Sequence, residues 1–264
     1  MKKYIGLLTD FGIKDYFVGV LHGVIKQINP EVEIFDIAHG VTSHYTLSAA
    51  FIAEKNFKFF PYGTIFIVVV DPGVGTDRNI ILVSYDRYYF IAPDNGVLTP
   101  FLSSDDKVVR IIDADHYFLS KDSSTFEARD RMAPIAAYLS RGTEPSRLGT
   151  ETDDYIIDNS YFPKIKGTNI IEGKIVYVDK FGNIITNFTK DFIFNAMGGS
   201  SFTKFKIKIN GQEITDFVKV YAQGKTTPFM LFGSHGNLEI AMNKKPAYKT
   251  LKVGLNQTVE LNFY

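Results

Sequence analysis

A run of β-branched and aromatic residues at 65–70 leads directly into a glycine-rich turn. Such a run is typical of a strand that is covered on both faces of a sheet. Asp71 lies where that strand ends, and Arg78 follows on the far side of the turn. Ligands of open α/β sheets bind outside the carboxyl ends of the strands, so this acid and this base are the first candidates for a functional site. The alternative is a solvated Asp–Arg pair in an ordinary turn.

The first half of the chain alternates strand-like and helix-like patterns. Before the run at 65–70, strands are predicted at 4–9 and 32–37, and helices at 17–28 and 46–57. This order predicts a mostly parallel central sheet with helices packed on it. A dinucleotide fold is not predicted, because the first strand is followed by a lone Gly12 rather than by G-x-G-x-x-G.

Further strand patterns and one helix complete this half of the chain. The strands are predicted at 80–83, 88–92 and 108–112. The helix is predicted at about 132–140, and Asp130 or Thr125 would cap its start.

The composition changes after Gly149. Residues 151–166 are polar and without clear periodicity, which is typical of a linker. Short alternating runs follow at 174–178, 205–209, 229–232, 238–241 and 258–263. We therefore expect an α/β protein with an N-terminal α/β domain at 1–165 and a small C-terminal β-barrel domain at 170–264.

The charge balance and the lack of cysteine exclude several classes of protein. Lys and Arg together number 29, as do Asp and Glu, so no basic surface for nucleic acid is expected. No cysteine is present, which excludes disulfides and thiolate metal sites and fits a cytoplasmic protein. The first apolar run stops at Asp10, so neither a signal peptide nor a membrane span is predicted.

Several stretches, in matching order from Thr9 to about Asn243, resemble the S-adenosylmethionine hydroxide adenosyltransferases, the family that also contains the fluorinases and chlorinases. They lie at 7–12, 70–76, 92–96, 124–126 with 129–130, 181–183 and 238–241. The resemblance implies a homotrimer with active sites between the N-terminal domain of one subunit and the C-terminal domain of the next. It also implies hydrolysis of S-adenosylmethionine to adenosine and methionine, by attack of water or hydroxide at the ribose C5′.

The same resemblance implies the substrate contacts. Asp10 would bind the ribose diol, since a carboxylate accepts two hydroxyl hydrogens. Phe181 would pack against adenine, and Asn183 would bond to its edge. The ammonium and carboxylate of methionine need charged or polar partners, which would be Asp15, Asp179 and Ser234. The remaining implied contacts are Phe126 and, in the stretch 239–244, Glu239 and Met242.

The catalytic candidates are Asp71, Arg78 and Glu127. The family's hydrolases place an Asp, an Arg and a His around the attacking water, within a pattern that includes S-T-F-H-G-R-D. Here Glu127 replaces the His and Ala128 replaces the Gly. The halogenating relatives lack the Asp, and a carboxylate beside the nucleophile would repel a halide. Asp71 therefore argues against halide chemistry.

Three interpretations of Glu127 remain open at this point. Glu127 acts as the base or joins Asp71 in polarising the water. Alternatively, it bonds only to Arg78 or Arg129 and leaves Asp71 to orient the water. In the third interpretation the protein binds S-adenosylmethionine or adenosine without turnover.

A magnesium-dependent phosphohydrolase is the alternative enzyme class. Asp10, Asp71 and Asp94 would then supply hard oxygen ligands. Such an enzyme would lose its activity to EDTA, whereas the adenosyltransferase requires neither a metal nor a cofactor. The five histidines do not have the spacing of a metal site.

Overall fold

The computed structural model describes residues 3–120, 125–198 and 204–264. The chain forms two compact units, Met1–Asp158 and Asn159–Tyr264. Each unit has its own sheet and its own hydrophobic core. The predicted fold class, an α/β unit followed by a barrel-like β unit, is confirmed. Within the described ranges, every helix is too short or too polar to cross a lipid bilayer.

The N-terminal unit is a seven-stranded sheet with helices packed against it. Its strands are β1 (Tyr4–Thr9), β2 (Glu33–Ala38), β3 (Ile65–Val69), β4 (Ile80–Tyr85), β5 (Tyr88–Pro93), β6 (Lys107–Ile111) and β7 (Thr150–Glu151). Its helices are α1 (Phe17–Ile28), α2 (Thr46–Asn56), α3 (Thr99–Leu102) and α4 (Ala133–Ser140), the last preceded by a π-helical turn, Ala128–Met132.

The sheet is mixed, in the order β2-β1-β3-β5-β4-β6-β7. Strands β2, β1, β3 and β5 are parallel to one another, and the first three are joined through α1 and α2. The pairs β5–β4, β4–β6 and β6–β7 are antiparallel. Strand β4 leads into β5 through a tight hairpin turn at Asp86, whose φ is 53°. The predicted parallel arrangement therefore holds for the half of the sheet that carries Asp71.

Strand β3 is buried along its whole length, as its composition predicts. One face packs on α4, and α4 in turn packs on α1. The other face meets a cluster of aromatic rings, in which Phe66 stacks on Phe90 at 5.1 Å and Phe90 stacks on Phe101 at 3.9 Å between ring centres. Burial on both faces fixes the end of β3, and with it the position of Asp71.

The last helix of this unit, α4, begins within one residue of its predicted start, but neither predicted cap, Asp130 or Thr125, lies at an N-cap position. Helical structure begins at Ala128 with the π-helical turn, and no side chain caps either that turn or α4. Asp130 lies inside the turn, where both carboxylate oxygens accept from Arg129 at 2.7 Å. Its carboxylate is therefore engaged with the side chain of the preceding residue. Ser124, in the quoted family pattern, lies outside the described residues.

The C-terminal unit is a barrel-like antiparallel sheet. Its strands are β8 (Lys164–Lys166), β9 (Ile170–Val178), β10 (Ile184–Thr189), β11 (Phe205–Ile209), β12 (Gln212–Ile214), β13 (Phe229–Phe232), β14 (Asn237–Ala241) and β15 (Thr258–Phe263), and its helices are α5 (Lys190–Ala196) and α6 (Ala247–Leu251). The order is β12-β11-β15-β9-β10-β14-β13, with β8 also paired to β9. The hairpin predicted at Asn210–Gly211 joins β11 to β12, and both residues have the positive φ that its tight turn requires.

Gly6 tests the packing of the central sheet. A Cβ at this position would lie 2.9 Å from Ile37 Cδ1 and from the Phe66 ring. We expect Gly6→Ala to lower the free energy of unfolding by about 1–3 kcal/mol, because the core is overpacked. The matched control is Gly23→Ala on α1, where the new methyl group has open space and should stabilise the helix by about 0.5–1 kcal/mol. Urea unfolding measures both, and equal effects of the two substitutions would contradict the packing argument.

Candidate active site

Asp71 and Arg78 form a two-point ion pair at the carboxyl end of β3. Arg78 Nε lies 2.9 Å from Asp71 Oδ1, and Arg78 Nη2 donates to Oδ2. The backbone N–H of Gly73 also donates to Oδ1, at 3.1 Å. The Asp71 side chain is 5% exposed and that of Arg78 is 9% exposed. The interpretation of a solvated pair is therefore wrong, and a buried pair that is held this tightly has a fixed geometry.

Glu127 joins this pair from the residue just before the π-helical turn. Its Oε2 accepts from Arg78 Nη2, the nitrogen that also donates to Asp71. Its Oε1 lies 2.9 Å from Nη1 of Arg131, four residues later on the turn. The Glu127 side chain is 4% exposed. Arg131 was not among the residues predicted from the sequence, although its spacing of four residues from Glu127 was a usable signal.

The cluster consists of two carboxylates and two guanidinium groups. Burial acts to lower the pKa of Arg78, but hydrogen bonds and charge from Asp71, together with Glu127, outweigh it and raise the pKa above its ordinary value. Arg78 is therefore a permanent cation and a hydrogen-bond donor. Its Nη1 is buried and has no hydrogen-bond partner within the described residues. This nitrogen is a donor that the cluster itself does not use.

Asp10 lies at the same edge of the sheet as Asp71, because β1 and β3 are adjacent and Thr9 is in register with Val69. Its Oδ2 accepts the backbone N–H of His44 at 3.1 Å, and the side chain is partly exposed. The structure thus brings Asp10 and the Asp71 cluster to neighbouring strand ends. Asp15 lies in the exposed loop before α1.

Phe126 is packed in the core of the N-terminal unit. Its ring meets Phe11 and Phe17 edge-on, with ring centres 5.9 Å and 5.3 Å away. The guanidinium carbon of Arg129 lies 5.1 Å from the ring centre. Phe126 is 9% exposed, so its ring helps to fix the segment that carries Glu127.

In the C-terminal unit, Asp179 organises the turn that joins β9 to β10. Its Oδ1 accepts the backbone N–H of Phe181 at 2.9 Å and that of Asn183 at 2.8 Å, and its Oδ2 accepts from the Asn183 amide at 2.8 Å. Gly182 has a φ of 88°, and a Cβ there would lie 2.4 Å from Pro246. The turn leaves the Phe181 ring 77% exposed. The turn thus holds the Phe181 ring in an ordered, accessible position.

The other predicted contacts in this unit differ in accessibility. Glu239 is buried on β14, where it accepts from the Tyr221 hydroxyl and lies 2.9 Å from His235 Nε2. Burial and the bond to Glu239 raise the pKa of Tyr221. Met242 is buried in the core, whereas Ser234 is exposed in the turn between β13 and β14. Both carboxylate oxygens of Glu239 are thus engaged inside the unit.

The residues that would form a magnesium site are not arranged as one. Within the described residues, no group of three or more His, Asp or Glu side chains could hold a metal ion. Asp94 is buried and accepts the backbone N–H of Ile156 at 2.9 Å. Burial raises the pKa of Asp94 above its ordinary value.

Comparisons with known proteins agree with the resemblance noted in the sequence. A model of the SAM hydroxide adenosyltransferase N-terminal domain matches residues 5–149, and a model of the C-terminal domain matches residues 173–260. The (R)-S-adenosyl-L-methionine hydrolase of Methanocaldococcus jannaschii is 31% identical, over 97% of this chain and 95% of that protein. The fluorinase of an Actinoplanes species is 26% identical, over 97% of this chain and 96% of that protein. Among solved structures, that of an uncharacterized conserved protein from Thermotoga maritima is similar to this chain, with a TM-score of 0.86 and 34% sequence identity. The match covers 98% of this chain and 99% of the Thermotoga maritima chain.

The role of Asp179 in its turn can be tested without an activity assay. Asp179→Ala removes the acceptor of two backbone N–H groups, so we expect the C-terminal unit to lose about 1–3 kcal/mol of stability. Hydrogen exchange at the amides of Phe181 and Asn183 should accelerate. Asp216→Ala, which removes only an exposed ion pair with Lys225, is the control. Unchanged exchange in Asp179→Ala would show that the carboxylate does not hold the turn.

Proposed function

The chain belongs to the SAM hydroxide adenosyltransferase family, and we propose that it hydrolyses S-adenosyl-L-methionine to adenosine and L-methionine. The observation that carries the proposal is the buried Asp71–Arg78–Glu127 cluster at the carboxyl end of β3. Asp10 lies at the adjacent strand end, where a substrate near the cluster would place its ribose. The names of the hydrolase relatives further support the R epimer at sulfur as the substrate.

The reaction is a displacement at the ribose C5′. A bond forms between the water oxygen and C5′, while the C5′–S bond breaks and its electron pair goes to sulfur. Methionine leaves as a neutral thioether and needs no acid, and the proton of the water passes to Asp71 and then to solvent. The protein has to align the water with the C5′–S bond, and such positioning can contribute roughly 7–11 kcal/mol.

Each member of the cluster has a distinct role in this proposal. Asp71 orients the water, since its Oδ2 keeps acceptor capacity beyond the bond from Arg78. Arg78 holds Asp71 through two hydrogen bonds and keeps a permanent positive charge beside it. Glu127 is bonded to Arg78 and Arg131, which favours the interpretation in which it fixes Arg78 and leaves the water to Asp71.

The substrate contacts follow the family resemblance and the described geometry. Asp10 binds the ribose diol, and the exposed ring of Phe181 stacks on adenine. Asn183 uses its amide nitrogen on Asp179, so its Oδ1 is the atom for the adenine amino group. The methionine end is bound by Asp15, Asp179 and Ser234. Phe126 and Met242 shape the pocket from the core, and Glu239 contributes through its backbone.

We also propose a cytoplasmic homotrimer whose active sites form between subunits, without a nucleic-acid or membrane partner. Large apolar side chains are exposed beside proposed binding residues in both units, namely Ile13 (87%), Tyr16 (68%) and Phe181 (77%). Exposed apolar groups of this size support a surface that a partner subunit covers. Sedimentation of the purified protein measures the assembly directly.

Turnover of S-adenosylmethionine in metal-free buffer tests the proposed activity. We expect wild type to release adenosine and methionine, with EDTA having no effect, and Asp71→Asn to lower kcat about 10²–10⁴-fold. Asp77→Asn, an exposed residue of the same turn, should behave as wild type. Tight binding of S-adenosylmethionine without any adenosine would support the binding-only alternative, and loss of activity to EDTA would contradict a metal-independent hydrolysis.

Removal of the exposed ring tests the adenine contact. Loss of base stacking typically costs about 1–3 kcal/mol per base, so we expect Phe181→Ala to raise KM roughly tenfold or more. Phe194→Ala, which also removes a partly exposed ring from the C-terminal unit, should leave KM unchanged. Equal KM values for the two variants would remove Phe181 from the substrate site.

A further inference from the structure

We propose that Arg131 is a positioning residue of this hydrolase. It fixes the Glu127 carboxylate, through it orients Arg78, and balances the second negative charge of the cluster. This inference rests on the proposed function, because its main measurement is turnover of S-adenosylmethionine. No part of it requires Arg131 to touch the substrate.

The geometry gives Glu127 one cation on each oxygen. Arg131 Nη1 lies 2.9 Å from Glu127 Oε1, and Arg78 Nη2 donates to Oε2. The guanidinium carbon of Arg131 lies 5.4 Å from the centre of the Phe118 ring, so the planar group is held by a ring face as well as by the carboxylate. Arg131 is 30% exposed, whereas Glu127 is 4% exposed. The partly exposed arginine thus anchors a buried acid.

The charges of the cluster balance only when Arg131 is included. Asp71, Arg78 and Glu127 together carry one net negative charge, in side chains that are at least nine-tenths buried. A buried carboxylate without a compensating cation is costly. Arg131 brings the net charge to zero. A chain with an acid at position 127 therefore needs a second cation within bonding distance of that acid.

The π-helical turn provides this cation in the required place. The N–H of Ala133 bonds to the carbonyl of Ala128, five residues earlier, which widens the helix at this point. Such turns are frequent at functional sites. Arg129, on the same turn, gives both of its bonds to Asp130 at 2.7 Å. Each of the two arginines thus serves a different acid, and Arg129 is committed elsewhere.

Loss of Arg131 should lower kcat. Without Arg131, Glu127 is held only by Arg78 and pulls on the guanidinium that also fixes Asp71. Displacement of a catalytic group by about 1 Å can cost 10²-fold in rate. Binding should not weaken, because the loss of a cation does not disfavour a cationic sulfonium substrate.

The test compares Arg131→Gln, Arg131→Lys and the double variant Glu127→Gln/Arg131→Gln with wild type. We expect Arg131→Gln to lower kcat about ten- to a hundredfold, with KM within about twofold of wild type or lower. Arg131→Lys should retain most of the activity, since Glu127 needs only one donor from position 131. The double variant should exceed Arg131→Gln in kcat, because it has no unbalanced buried acid.

Arg110→Gln is the control, since it removes an arginine from an ion pair with Glu151 at the sheet edge and should leave kcat unchanged. The inference is overturned if Arg131→Gln keeps wild-type kcat, or if the lysine and double variants lose as much activity as it does. If wild type itself releases no adenosine, the proposed function fails. Urea unfolding then still decides on the charge pairing, which requires the double variant to be more stable than Arg131→Gln.

Discussion

The structure depends on the burial of one ion pair at the end of one strand. Asp71 and Arg78 are removed from water because β3 is covered on both faces and the turn after it folds back over the strand end. A buried pair is stable only when its hydrogen bonds are met and its geometry is good. The Gly73 N–H, Arg78 Nε and Nη2, and the acid at position 127 meet these conditions for the Asp71 carboxylate and two of the three Arg78 nitrogens, while Arg78 Nη1 has no partner within the described residues. The same conditions produce a fixed carboxylate at the edge of the sheet where ligands bind.

The two units fix their side chains in different ways. The N-terminal unit uses buried charge to hold the groups that, in the proposed function, act on the nucleophile. The C-terminal unit uses Asp179 to build a rigid turn, which keeps Phe181 exposed and Asn183 oriented. Because the Asp179 carboxylate already orders this turn, binding of a ligand to the turn costs little conformational entropy. The Asp71 cluster and the Asp179 turn are therefore each ordered within their own unit before any ligand binds.

Much of this could be predicted from residue patterns. The buried strand at 65–70, α1 and the Asn210–Gly211 hairpin follow from local periodicity and turn chemistry, which act over a few residues. The π-helical turn and the role of Arg131 could not be predicted in this way. They depend on the position of Glu127 beside Arg78, 49 residues away in the chain. The antiparallel half of the sheet was missed for a similar reason, since strand order is decided by packing rather than by the strands themselves.

The origin of the 5′ oxygen atom of adenosine shows directly whether water attacks the ribose C5′. A single turnover in water enriched in ¹⁸O, followed by mass spectrometry, reports which carbon of S-adenosylmethionine the water attacks. We expect the label on the 5′ oxygen of adenosine, unlabelled methionine, and loss of this product in Asp71→Asn. Label in homoserine together with methylthioadenosine, or unlabelled adenosine, would contradict attack at C5′ by a water that Asp71 holds.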